Sequence, residues 1–213
     1  MLLASELRRR GLVDDEIFDG TGLSWSSLIE GERFVSFGQL SRLARRGMKL
    51  TGEGWLGLDV GLSAQISSHG PLGYAMVASP DIGQALDLVQ RYGSRRLQIV
   101  SFATEWLDDR VQLSIDDTIG WGDVGEYVTQ YIIGAQCLLL ETVSGMPLPD
   151  TRIHLPFPAP DWSNKYATRL GDVALCFDAP MTAIDVPKSF ASTPCITADA
   201  AAFRQALRLL EKA

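Results

Sequence analysis

Histidine is almost missing from this 213-residue sequence, which holds 2, His69 and His154. Neither has a Cys, a second His or an acidic residue spaced beside it as a metal ligand would be. The 3 cysteines, Cys137, Cys176 and Cys195, are odd in number, lack Cys-x-x-Cys spacing and have mainly apolar neighbours. They read as reduced core thiols, not as a disulfide framework. No Gly-x-Ser-x-Gly elbow, Walker A lysine or His-Glu-x-x-His helix is present, so the commonest hydrolase and nucleotide signatures are missing. These gaps turn the expectation away from an enzyme and towards a sensor or interaction domain.

Long apolar runs are also missing. The best, Tyr131 to Leu140, is interrupted by Gln136 and is half the ~20 residues a membrane span needs. The N-terminus, MLLASELRRR, places its basic residues after the apolar ones, the reverse of a secretory signal, which predicts a cytoplasmic chain. Positive charge is scarce after the first fifty positions. Net charge is −7 overall, with +1 on residues 1–50 and −8 on residues 51–213. Most of the chain would repel a polyanion, so direct nucleic-acid binding lacks its usual electrostatic drive. The basic cluster Arg42, Arg45, Arg46 and Lys49 reads as the wet face of an amphipathic helix.

What the sequence does hold is 46% apolar content, enough for a substantial core. Helices are expected at Leu3–Arg10, near Asp14-Asp15-Glu16, and at Ser36–Leu50, ended by Gly52. From Gly70 to Tyr92 an apolar segment runs into Ser79-Pro80, and a second, with Ile82, Ala85, Leu86 and Val89 at helical spacing, is capped by Ser79 or Asp81. Leu97–Ala103 and Val111–Ile115 read as a hairpin reversing at Leu107–Arg110. The longest helix, Val124–Val143, is apolar almost all round and stopped by Gly145-Met146-Pro147. Thr151–Leu155, Ala174–Phe177 and Ala183–Val186 are short strands, Asp161–Leu170 is a helix capped by Asp161, and Ala198–Lys212 is a closing helix. The fold class is therefore α+β, a mostly antiparallel sheet of about five short strands covered by helices. We expect one domain, with a helical N-terminal part (1–69), a core (70–197) and a C-terminal helix (198–213).

Gly120-Trp-Gly-Asp-Val-Gly125 matches a dinucleotide fingerprint literally and lies between a strand and a helix. The preceding strand ends too early for a tight turn, Asp116 and Asp117 would repel a pyrophosphate, and Glu141 falls inside a helix instead of at a strand end. A flexible loop is the better reading. Adjacent carboxylates such as Asp108-Asp109 read as solvated turns, and His154 as a hydrogen-bonded strand residue. One cluster has the make-up of a ligand cavity: Tyr127 and Tyr131 four apart on the long helix with Gln130 on the same general side, Trp121 before it, and Tyr92, Arg95 and Arg96 with the second apolar segment. The alternative for these residues is that the tyrosines cap a core and the arginines are solvated.

Taken in order, several weak motifs point one way. They are Gly22-Leu23; Leu50-Thr51-Gly52; Leu56-Gly57-Leu58 with Gly61; and Gly70-Pro-Leu-Gly-Tyr-Ala-Met-Val-Ala-Ser-Pro80 with Ala85-Leu86 and Arg91-Tyr92. Glu126, Gly145-Met-Pro-Leu-Pro149, Pro158-Ala-Pro160 with Tyr166, and Phe177-Asp-Ala-Pro180 with Pro187 follow. With these the chain resembles the N-terminal effector domain of AraC/XylS-type bacterial transcription regulators, in the arabinose-binding-domain-like branch. The resemblance implies a cytoplasmic domain that senses an unidentified small molecule, forms a homodimer and signals to a C-terminal helix-turn-helix domain. It does not imply arabinose, a metal or a cofactor, and it carries over no fixed site residues. The sequence stops at Ala213, where the family's linker would begin, so DNA contact is expected only through a helix-turn-helix domain outside this chain. The pocket is expected between the long helix and the sheet. The competing expectations are a ligand-independent interaction domain and, behind it, a dinucleotide-binding enzyme.

Overall fold

Helix caps and apolar spacing organise the first hundred residues. The computed structural model describes residues 1–30 and 35–212. Three short helices, α1 (Leu2–Arg9), α2 (Asp14–Phe18) and α3 (Trp25–Ile29), precede α4 (Phe37–Thr51). Ser36 opens α4 with a reciprocal cap: its hydroxyl accepts from the Gln39 amide, and the Gln39 side chain accepts from the Ser36 amide. The basic face of α4 ties neighbours together, with Arg45 paired to Asp123 and Arg46 donating to the Glu16 carbonyl. A short helix, α5 (Leu56–Gly61), and a 3-10 turn over Ile66–His69 lead to α6 (Pro71–Val77) and α7 (Ile82–Arg96). Ser79-Pro80 separates these two as expected. Asp81 is the cap, accepting from the Gln84 amide at 2.8 Å, whereas Ser79 donates back to the Ala75 carbonyl.

The α+β expectation holds. Strands β1 (Val100–Trp106) and β2 (Arg110–Asp117) form the predicted hairpin, followed by α8 (Gly125–Ser144). Then come β3 (Arg152–His154), α9 (Asn164–Leu170), β4 (Ala174–Cys176), β5 (Thr182–Pro187), α10 (Lys188–Ala191) and α11 (Ala200–Lys212). The five strands lie in the order β1-β2-β5-β3-β4, and only β3 and β4 run parallel, with α9 in the connection between them. Several boundaries shift by one to three residues from the sequence reading, and two of the starts have a clear local cause. The first strand starts at Val100 and not Leu97, because α7 runs on through Arg96 and the Leu97 amide still bonds to the Gly93 carbonyl. Helix α9 starts at Asn164, because the Ser163 amide closes a turn onto the Pro160 carbonyl, leaving Asp161 in the turn instead of at the cap.

The sheet turns an aliphatic row inward: Val111, Leu113, Ile115, Ile153, Ile184 and Val186 are all buried. The other face carries a polar line, in which His154 Nε2 lies 2.9 Å from Asp185 Oδ2 and Gln112 donates to Asp185 Oδ1. Helix α8 is buried around most of its circumference, with α5 laid directly along it. None of the described helices is long and apolar enough to cross a membrane.

Candidate ligand cavity

Helix α8 presents Tyr127, Val128, Tyr131, Ile132, Ala135, Gln136 and Leu139 on one stripe, the positions that share a face at helical spacing. That stripe walls a cavity of about 440 Å³, a size usual for small-molecule sites. Val89, Gly93 and Arg96 of α7 form a second wall with Ile99 and Phe102. Leu3 of α1, Leu40 and Leu43 of α4, and Leu72 of α6 contribute further apolar surface. The cavity thus lies between α8 and the N-terminal helices and touches the sheet only at its first strand. Its position differs from the one expected, between α8 and the sheet, where the inward aliphatic row of the strands is buried.

A few polar groups interrupt this wall. Gln136 is 7% exposed, and its Oε1 has no hydrogen-bond partner; His69 Nε2 is likewise buried without one. Arg96 donates to the Ser68 carbonyl at 3.1 Å and forms no ion pair among the described residues. No Asp or Glu lines the cavity among the described residues. Burial holds the His69 imidazole below its ordinary pKa, and the positive charge of Arg96 adds to this against a backbone hydrogen bond at Ala64. Burial also pushes the phenols of Tyr127 and Tyr131 up, so both stand as neutral hydroxyls.

Of the residues singled out from sequence, Tyr127 and Tyr131 line the cavity together with Arg96. The others have different surroundings. Tyr92 is buried with the guanidinium groups of Arg91 and Arg95 at 5.3 and 5.2 Å from its ring, and Arg95 donates to the Leu210 carbonyl of α11. Trp121 packs beside α8 and donates its indole N–H to the Ile99 carbonyl at 2.8 Å. His69 and Gln136 were missed as wall residues. Gln136 did carry a signal, as the lone polar residue in the longest apolar run.

The start of the Gly120–Gly125 loop is already occupied by a carboxylate of the chain. The Asp117 carboxylate accepts from the amides of Ile119, Gly120 and Trp121 at 2.9, 2.7 and 2.5 Å, and its charge opposes a phosphate at these donors. Among the described residues no cluster of three or more His, Cys, Asp or Glu could hold a metal ion.

Comparison with known proteins agrees with this architecture. A transcriptional regulator of known structure, CdpR from Pseudomonas aeruginosa, superposes with a TM-score of 0.72 over 98% of this chain at 19% identity, a likeness of fold. The ornithine utilization regulator of Pseudomonas aeruginosa is 26% identical over 195 residues, which is 90% of this chain. The chain spans 56% of that relative's length and 60% of the CdpR chain. Residues 11–195 match the model of the arabinose-binding domain of AraC transcription regulators, N-terminal, and the chain belongs to that family.

Proposed function

We propose that this domain senses a small molecule for an AraC-type transcription regulator, with the cavity against α8 as the effector site. The observation that carries this reading is an apolar cavity of about 440 Å³ walled by one stripe of α8, with Gln136, His69 and Arg96 as the polar residues among its lining. Operator contact is assigned to a part of the regulator outside these residues, since residues 51–213 carry a net −8 and would repel DNA. The domain acts as a homodimer in the cytoplasm. Support for self-association comes from an exposed apolar face, where Tyr74 of α6 and Leu209 of α11 are 57% and 53% exposed.

The name of the ornithine utilization regulator does not transfer its substrate to this cavity. A diamino acid carries two ammonium groups, and the described wall has no carboxylate to receive either. The test is a thermal-shift screen of sugars, amino acids, nucleotides and organic acids against the chain and against Val128→Phe, which pushes a ring from α8 into the cavity. At least one compound should stabilise the parent chain and lose its effect on Val128→Phe. Stabilisation that is equal in Val128→Phe, or none from any compound, counts against the cavity as effector site.

A further inference from the structure

Resting on the sensing function above, we infer that the effector is an amphipathic monocarboxylate, an apolar body of medium length ending in one carboxylate, held with its head at Arg96 and His69 and its body along α8. The size comes from the cavity: at about 30 Å³ for each water-sized unit, about 440 Å³ holds on the order of 15 non-hydrogen atoms. The apolar body comes from its lining, in which Leu3, Leu43, Leu72, Val128, Ile132 and Leu139 surround the space. Aliphatic walls of this kind offer a sugar or a nucleotide too few partners for its hydroxyls.

The sign of the head comes from the charges. Arg96 reaches the cavity with no carboxylate beside it, and among the described residues the lining holds no acidic side chain. Arg96 donates to the carbonyl of Ser68, the neighbour of His69, so the guanidinium and the imidazole stand on the same part of the wall. A guanidinium at the rim of an apolar space favours an anion, and a carboxylate matches its fork of donors. An ammonium at the same place would meet Arg96 with like charge. The buried Gln136 amide lies five residues beyond Tyr131, about 7.5 Å further along the helix. A glutamine amide is donor on one side and acceptor on the other, so it meets an oxygen substituent on the body of such an acid. A neutral or cationic chain of equal length would leave Arg96 without a counter-charge.

The experiment is calorimetric titration of the chain with decanoate, decan-1-ol and decylamine, each below its micelle concentration. Decanoate is expected to bind at least tenfold more tightly than decan-1-ol, and decylamine most weakly. Arg96→Gln, at a solvent-exposed position whose loss should leave the fold intact by circular dichroism, should erase that preference while leaving decan-1-ol binding unchanged. Equal binding of the acid and the alcohol by the parent chain overturns the inference, as does a preference that persists in Arg96→Gln. If none of the three binds while another compound stabilises the chain and loses its effect on Val128→Phe, the carboxylate class fails and the sensing function stands. If no compound of any class binds, both fail.

Discussion

His69 lies in the cavity wall, desolvated by its surroundings and close enough to Arg96 to feel its charge, so the folded protein holds it below the ordinary value of 6.5. In the unfolded chain the ring takes up its proton near that value, whereas the folded chain does so only at lower pH. Between the two the unfolded state binds more protons, so stability is complete above about pH 6.5 and falls as pH drops through the folded value. Urea midpoints measured from pH 8 to pH 5 should therefore decline more steeply for the parent chain than for His69→Gln, with a constant difference above pH 7. Parallel curves throughout would show that the ring is not held neutral by folding. How much of this site is legible from sequence depends on the residue. Tyr127 and Tyr131 are legible because four-residue spacing on a helix puts them on one face. Arg95 and Arg96 are not separable that way, since consecutive positions differ by about 100° around the helix and only the docked α7 shows which one meets the cavity. The unpaired state of His69 and Gln136 is a property of what surrounds them in space, which no local pattern encodes.

The pairing of α5 with α8 shows what small residues do for whole elements. A Cβ placed on Gly57 or Gly61 would collide with the carbonyl oxygens of Tyr127 and Tyr131, and one on Gly134 would lie 2.8 Å from the Leu58 carbonyl. The two backbones therefore touch at the turns of α8 that carry both cavity tyrosines. Ordinarily Gly→Ala within a helix gains about 0.5–1 kcal/mol. At Gly61 the clash is with backbone, which cannot rotate away, and overpacking of this kind costs about 1–3 kcal/mol or more. Gly61→Ala should thus destabilise by about 1–2 kcal/mol in urea unfolding. Gly38→Ala on α4, where the nearest side-chain atom is 3.8 Å away, should be neutral or stabilise. The same sign for both would refute close approach as the cause. At this scale the sequence showed where most elements begin and stop, because Asp81, Gly52 and Gly145 act locally and all three do end or cap helices as read. It did not show the strand order β1-β2-β5-β3-β4 or the parallel pairing of two three-residue strands, which arise from long-range packing. The N-terminal helices read as a separate part, yet they complete the cavity.

For the molecule as a whole, function requires that an occupied cavity alter something outside it. The last turn of α7 is where the two meet. Arg96 faces the cavity, and Arg95, one position earlier, donates to the Leu210 carbonyl in α11 at 3.2 Å. Helix α11 also packs on α6, so these two helices and the end of α7 form one connected body. Their outer face carries Tyr74 and Leu209, with Ala202 and Ala206 set between. An effector shifts the state of this face only if it binds the two arrangements with different affinity. The face itself makes a simpler prediction. A twofold contact that buries Leu209 against its copy would be self-complementary, and a carboxylate on each side would face its like. Sedimentation velocity of the parent chain across a hundredfold concentration range should show a monomer–dimer equilibrium, and Leu209→Asp should move it to monomer. Because Leu209 is 53% exposed in the single chain, the substitution should leave the urea midpoint of dilute protein nearly unchanged, which separates a lost interface from a lost fold. A parent chain that stays monomeric throughout, or a variant that dimerises equally well, would remove the α6–α11 face as the dimer contact and leave the cavity argument untouched.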